Sequence, residues 1–249
     1  MTTHITFSSA FNGYNEENKE KAEDFEMSYE CHVVLDFEFN PVVAQNRDIV
    51  RDEIIEIGAV KLNPQFEEIG RLTCLVKPEL HSFIDPKITK LTGIRTEDVE
   101  NAVSFETAIE MLSDWIGPAK SRVYSWSDND LRQLIYECNA KGVEFPENMY
   151  RWMDLQKVFQ RVIGYPRRQC MALSYAADML RIDFDKSHAH RAIYDTEVTA
   201  EILRRLKSPD YQLDLARAKQ TFCKSPQRMT YSIGSACGIS LLQLMEKLA

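Results

Sequence analysis

No stretch of about 18 consecutive apolar residues occurs in the 249-residue chain, so no bilayer-spanning helix is expected. The first residues lack a basic segment followed by an apolar core, the pattern of a secretory signal. Six cysteines (Cys31, Cys74, Cys138, Cys170, Cys223 and Cys237) are scattered, with no CxxC pair and no paired Cys/His spacing. That argues against a structural zinc site or a disulfide framework and points to reduced thiols in a cytoplasmic protein. Internal repeats and low-complexity tracts are absent as well. Net positive charge is also missing: the formal net charge is -8, which at first argues against a polyanionic partner. The deficit is local, however. Residues 1–30 hold seven acids (Glu16, Glu17, Glu20, Glu23, Asp24, Glu26 and Glu30) against Lys19 and Lys21, which leaves -3 for the remainder.

What is present is ordinary globular composition, 44% hydrophobic and 27% charged, in a length that suits one domain with tails or two small domains. Residues 1–28 are polar and acidic without apolar periodicity and are expected to be a flexible lead-in. Residues 29–207 carry the patterned elements. Residues 208–249 follow the breaks at Ser208-Pro209 and Ser225-Pro226 as an extension of unknown role, with a short amphipathic helix expected over Ile239–Leu248.

Within the patterned region, Val33 to Phe39 reads as a strand, followed by an Asn40–Asp52 loop and strands over Glu53–Leu62 and Gly70–Val76 joined at Asn63-Pro64. The period then changes. Asp85-Pro86 starts a short helix that stops at Gly93, and Ser104 caps a helix with the stripe Phe105, Ala108, Ile109, Leu112 and Ile116. A strand over Arg122–Trp126, a helix through Leu131, Leu134, Ile135 and Cys138, and a brief strand over Met149–Met153 come next. Helices with Leu155, Val158, Phe159 and Val162 inward, over Ala172–Leu180, and from Arg191 to Leu206 complete the series. Three meandering strands followed by alternating helices and strands predict an α/β fold, a mixed five-stranded sheet with helices on both faces.

The chemistry is suggested by acids placed where packing does not ask for them. On the first strand Val33, Leu35, Phe37 and Phe39 share one side, while Asp36 and Glu38 share the other with Val34. Two carboxylates so placed form a bidentate metal platform; a half-wet antiparallel strand alternates identically. Ser127-Asp128-Asn129-Asp130 lies between a strand and a helix, where sites gather, although each of these residues is also a favoured N-cap. Asp195 falls on the apolar stripe of the last helix with Ala192, Thr199, Ile202 and Leu206, so it needs either a buried arginine or another cation. His190 and its neighbour His188 precede that helix. If four acids converge, each close pair repels by about 4 kcal/mol at 4 Å and an effective dielectric near 20. Several such pairs rival a whole domain's stability of about 5–15 kcal/mol. The group must be protonated or hold cations. Oxygen ligands favour Mg²⁺ or Mn²⁺, and two such ions can activate water and stabilise the leaving oxygen of a phosphodiester. A histidine with an ordinary pKa near 6.5 is able to take the water's proton.

Asp36-Phe37-Glu38, Asp130 before Leu131, and His190-Arg191-Ala192-Ile193-Tyr194-Asp195 together resemble the DEDDh 3′–5′ exonucleases of the RNase T and proofreading-exonuclease superfamily. Glu53–Val60, Leu91-Thr92-Gly93-Ile94 and the Phe105–Trp115 helix add to the resemblance, which covers about Cys31 to Leu206. The nearest subgroup is that of histone-mRNA 3′ exonuclease and KapD-like proteins. The resemblance implies a ribonuclease H-like fold, two divalent ions (Mg²⁺ or Mn²⁺), and release of nucleoside 5′-monophosphates from a 3′ end. It implies that Asp36, Glu38, Asp130 and Asp195 are metal ligands and that His190 is the general base. Asp128 competes with Asp130, which the following Leu131 and the helix stripe favour, and His188 competes with His190, which alone has the His-Arg-Ala context and the five-residue spacing. Thr196 stands where alanine is common. Single-stranded nucleic acid, RNA ahead of DNA, is the implied partner, with no membrane and an open oligomeric state. Phe37, Phe39 and Leu91 are candidate walls for the terminal bases, or else core. Arg191 and the Arg167-Arg168 pair are candidate phosphate contacts. The rivals are a protein that keeps the fold and binds without cleaving, and an endonuclease.

Overall fold

The computed structural model describes residues 29–42, 50–166 and 169–223. Five strands form one sheet: β1 (Cys31–Pro41), β2 (Asp52–Leu62), β3 (Glu68–Leu75), β4 (Ser121–Ser125) and β5 (Trp152–Asp154), in the order β3-β2-β1-β4-β5. β1 pairs antiparallel with β2 and parallel with β4, which places it at the centre with both faces covered. The half-wet alternative for β1 is thereby removed.

On one face Val33, Leu35 and Phe37 pack against α3 (Phe105–Ile116) and α4 (Asn129–Lys141), through Phe105, Ala108, Ile109, Leu112, Leu131, Leu134 and Ile135. The opposite face, with Val34, Val60, Leu62 and Tyr124, is covered by α5 (Leu155–Ile163), α6 (Leu173–Met179) and α7 (Ala192–Lys207). The packed unit continues past residue 207. Helix α8 (Gln212–Cys223) buries Leu215 and Ala218 in this second core, and the Tyr165 and Phe222 rings meet edge-on at 5.0 Å.

β2 departs from strict alternation. Ile54, Ile57 and Ala59 share the first core, yet Ile54 and Ile57 are three apart. A register shift opposite Glu38 and Phe39 absorbs the extra residue, Ile55, whose side chain enters a smaller cluster with Ile84, Ile94 and Val99. This bulge explains why β2 reads as apolar on both faces, and it turns Glu56 towards the α7 side. β5 is shorter than the expected Met149–Met153 strand. A 3-10 turn occupies Glu147–Met149, and Asp154 already caps α5 by accepting the Lys157 N–H at 2.8 Å.

Two short helices, α1 (Pro86–Thr92) and α2 (Thr96–Val99), lie beside the end of β1. Asp85 caps α1 as expected, and Gly93 ends it in the left-handed conformation. The segment leading into α1 is tied down by buried polar groups. The Glu53 carboxylate accepts the N–H groups of Glu79, Leu80 and His81 at 2.8–3.0 Å and pairs with Lys141 at 2.9 Å. Buried Asn40 donates to the Phe83 carbonyl and accepts the Asp85 N–H, both at 2.9 Å. Exposed side chains on this segment are therefore held at a fixed distance from the strand that carries Asp36 and Glu38. No helix among the described residues is long and apolar enough to cross a membrane. The expected Ile239–Leu248 helix and the Arg167-Arg168 pair lie outside the described residues.

Candidate active site

The acids singled out in the sequence meet at the C-terminal half of β1. Asp36 and Glu38 face α7. Asp130, in the first turn of α4, reaches the backbone between them and accepts the Phe37 N–H through Oδ1 at 3.1 Å. Asp195, in the first turn of α7, closes the group. Glu38, His190 and Asp195 each present one ligand atom, all within 4.8 Å of one another, a grouping able to hold a metal ion.

The electrostatics express the crowding. Burial, then repulsion from Asp130, Glu38 and Asp195, raises the Asp36 carboxyl well above the usual range. Burial first, then Asp195, Glu56 and Asp130, pushes Glu38 up to about 8, with Arg191 opposing. Asp130 is raised to about 7, chiefly by burial, although it accepts two backbone N–H groups that work the other way. Burial also raises Asp195, against the N–H bond and charge of His190. Four carboxylates with an imidazole at the rim form a donor set suited to hard divalent cations, and their burial together is costly without such ions.

The two sequence ambiguities separate cleanly in space. Asp128 is ion-paired with Arg132 and Lys157, both at 2.8 Å. His188 bonds Asp185 at 2.8 Å on the surface. Asp130 and His190 are the members that reach the group.

The approach of α7 rests on Gly58 and Glu56 of β2, which carry no signal of chemistry in the sequence, and on Thr196. Gly58, paired with Asp36 across β1 and β2, lies against the first turn of α7. A Cβ there would stand 2.2 Å from the Ala192 carbonyl carbon and 2.4 Å from its oxygen and from Ile193 N. Thr196, the departure from the common alanine, bonds the Gly58 carbonyl at 3.1 Å and Ala192 O at 2.7 Å. Just before the helix His190 has φ 63, a left-handed conformation uncommon outside glycine and found at strained functional sites. That conformation directs its N–H to Asp195 Oδ2 at 2.8 Å. Glu56, fully buried and paired with Glu38 across the strands, accepts the Ala192 N–H at 3.0 Å and the Arg191 guanidinium at 2.6 Å. A glycine inside an apolar strand is a signal of close backbone approach that was available in the sequence. Glu56 had no such signal, because the bulge sets its direction.

The candidate base contacts divide. Phe37 is 3% exposed, with its ring in the core against Trp152, so the site receives its backbone N–H and not its ring. Phe39 is half-buried beside a cleft of about 690 Å³ lined also by Arg51, Asn129, Arg132 and Tyr136. Leu91 is exposed on α1, and Phe83, not singled out in the sequence, is 66% exposed on the tethered segment before it. Arg191 is engaged by Glu56.

A family model described as "Exonuclease" (RNase T) matches residues 33–203, most of the chain. The chain belongs to this exonuclease family. Among curated proteins, ERI1 exoribonuclease 2 of Xenopus laevis is 27% identical over 212 residues, covering 76% of this chain and 30% of its own length. ERI1 exoribonuclease 3 of Homo sapiens is 26% identical over 188 residues, covering 72% of this chain and 54% of its own length. The chain thus spans about a third to a half of the relatives it matches. A solved nuclease domain of 3′hExo, described as a DEDDh family member bound to rAMP, superposes with a TM-score of 0.64 at 23% identity, covering 72% of this chain and 92% of that one. That likeness establishes the ribonuclease H-like exonuclease fold expected from the sequence.

Proposed function

We propose that this exonuclease-family chain is a metal-dependent 3′–5′ exoribonuclease that removes nucleoside 5′-monophosphates from the 3′ end of single-stranded RNA. The convergence of Asp36, Glu38, Asp130 and Asp195 with His190 at one strand end carries the reading. The exoribonuclease names of the sequence relatives support RNA as substrate.

In this reading the four carboxylates hold two divalent ions, Mg²⁺ or Mn²⁺, which when bound supply charge neutralisation at the phosphate, a more acidic water and a stabilised leaving oxygen. The remaining work falls to the chain. His190, exposed at the rim and set beside Asp195, takes the proton of the attacking water. The P–O3′ bond breaks, leaving a 3′-hydroxyl on the shortened strand and a 5′-phosphate on the released nucleotide. Leu91 and Phe83 offer exposed apolar surface to the terminal bases, and stacking or apolar contact of that kind tolerates any sequence.

A 5′-labelled single-stranded RNA incubated with the full chain and Mg²⁺ or Mn²⁺ should give a descending ladder that chelation abolishes. Binding without cleavage would instead support the non-cleaving rival, and internal cuts the endonuclease. His190→Ala should lower kcat by about 10²–10⁴-fold. Unchanged kcat in a folded variant removes His190 from the role of base.

A further inference from the structure

We propose that Glu56, acting through Arg191 and the first turn of α7, is a positioning residue for the exonuclease centre, and that Arg191 serves it and not the substrate phosphate. The proposal rests on the function assigned above but concerns a side chain outside the acid set and its histidine. Glu56 has no exposed surface, and both of its oxygens are engaged. Oε1 receives Arg191 Nη2 at 2.6 Å and Nε at 3.2 Å, while Oε2 receives Nε at 3.2 Å and the Ala192 N–H at 3.0 Å. No oxygen is left over for a metal ion, although Glu56 stands directly opposite Glu38 across the sheet.

The geometry gives this carboxylate a different task. Ala192 is the first residue of α7 and Arg191 its N-cap, and the Arg191 side chain does not supply the usual hydrogen-bonded cap. Glu56 satisfies the helix N-terminus from the neighbouring strand, where an anion is also favoured by the helix dipole. Arg191 and Ala192 immediately follow His190, whose left-handed backbone points its N–H at Asp195. One buried carboxylate therefore fixes Arg191 and Ala192, two of the four residues between the rim histidine and the last acid. Arg191 compensates its charge, as a buried anion requires. Groups that orient metal-binding side chains in this way affect affinity or rate by about 10–100-fold when removed.

Glu56→Gln keeps the shape and one acceptor but loses the charge, and Arg191→Lys keeps the charge but loses the fork. Mn²⁺ titration calorimetry and RNA kinetics on the full chain separate the possibilities. Glu56→Gln should weaken Mn²⁺ binding and lower kcat, each by about tenfold or more, with KM within about twofold. Arg191→Lys should restore part of both values relative to Arg191→Ala. In the double variant Glu56→Gln/Arg191→Ala the losses should not add. Wild-type Mn²⁺ affinity and kcat in a folded Glu56→Gln would overturn the proposal. So would an Arg191→Ala that raises KM alone, since that is the signature of a phosphate contact. If the unmodified chain does not degrade RNA, the functional reading fails, while the Mn²⁺ titration still decides whether Glu56 orders the acid group.

Discussion

Asp36→Asn should abolish RNA degradation, by a factor of about a thousand or more, and should at the same time make the metal-free protein harder to melt. Both effects follow from the same crowding. Asp36 is the carboxylate repelled by all three of its companions, and by Glu56 behind them. A neutral isostere removes the cost of taking up a proton, or else of enclosing an unpaired charge, when this carboxyl is folded among the others. The gain should be roughly 1–3 kcal/mol, or several degrees in Tm for a domain of this size. Unchanged RNA decay in Asp36→Asn would remove the residue from the centre, and a lower Tm in chelator would contradict the repulsion.

The pH dependence of the metal-free protein has a definite sign. The carboxyls of Glu38 and Asp130 are raised in the folded state, to about 8 and about 7. A group whose folded pKa is raised contributes stability that is fully present below its unfolded pKa and is lost as pH rises through the folded value. Tm in chelator should therefore fall from about pH 4 towards pH 8, and saturating Mn²⁺ should flatten the slope because it binds the charged form. A slope that is unchanged by Mn²⁺ would contradict the assignment of these acids to a metal centre.

Gly58→Ala should be the most damaging single-methyl change in the sheet. The added Cβ would meet the backbone of Ala192 and Ile193, at 2.2–2.4 Å, and not the end of a flexible side chain. Relief requires α7 to move away from β2. That movement breaks the Thr196 bond to the Gly58 carbonyl, pulls Ala192 from Glu56 and withdraws Asp195 from Asp36 and Glu38. A loss of about 3 kcal/mol or more is expected by urea denaturation, beyond the usual overpacking penalty. Any folded fraction should bind Mn²⁺ weakly. A folded, active Gly58→Ala would mean that α7 sits further from the sheet.

The acid set was legible because β1 alternates regularly: Asp36 and Glu38 fall on one face whatever the partners. An acid on an apolar helical stripe marked Asp195 as needing a cation but left a buried arginine open; its place with the other acids was implied by the family resemblance. Asp130 was favoured over Asp128 in sequence by the Leu131 that follows it and by the helix stripe; the ion pairs of Asp128 with Arg132 and Lys157, which come from tertiary contact, draw the two apart in space. Glu56 was hidden by the bulge at Ile55, which shifts the phase of β2 in a way that no alternation rule anticipates. Phe37 and Phe39 sit on the same side of the strand, yet only the second lies by open space, because that depends on what covers each one. Helix α2 has four residues, too few to show a period, and α8 follows the Ser208-Pro209 break, beyond which the sequence carries no regular pattern before Ile239.

The central place of β1 has a consequence for the order in which the molecule matures. Asp36 and Glu38 are made early, whereas Asp195 comes 159 residues later, on a helix that must dock over Gly58 before the acids meet. Contacts so distant along the chain form late, because the intervening loop has to close first. A nascent chain that has completed β1 to β4 thus carries two solvated carboxylates and no centre. The acid group proposed to hold the metal ions is therefore complete only once α7 has been made and has docked over Gly58.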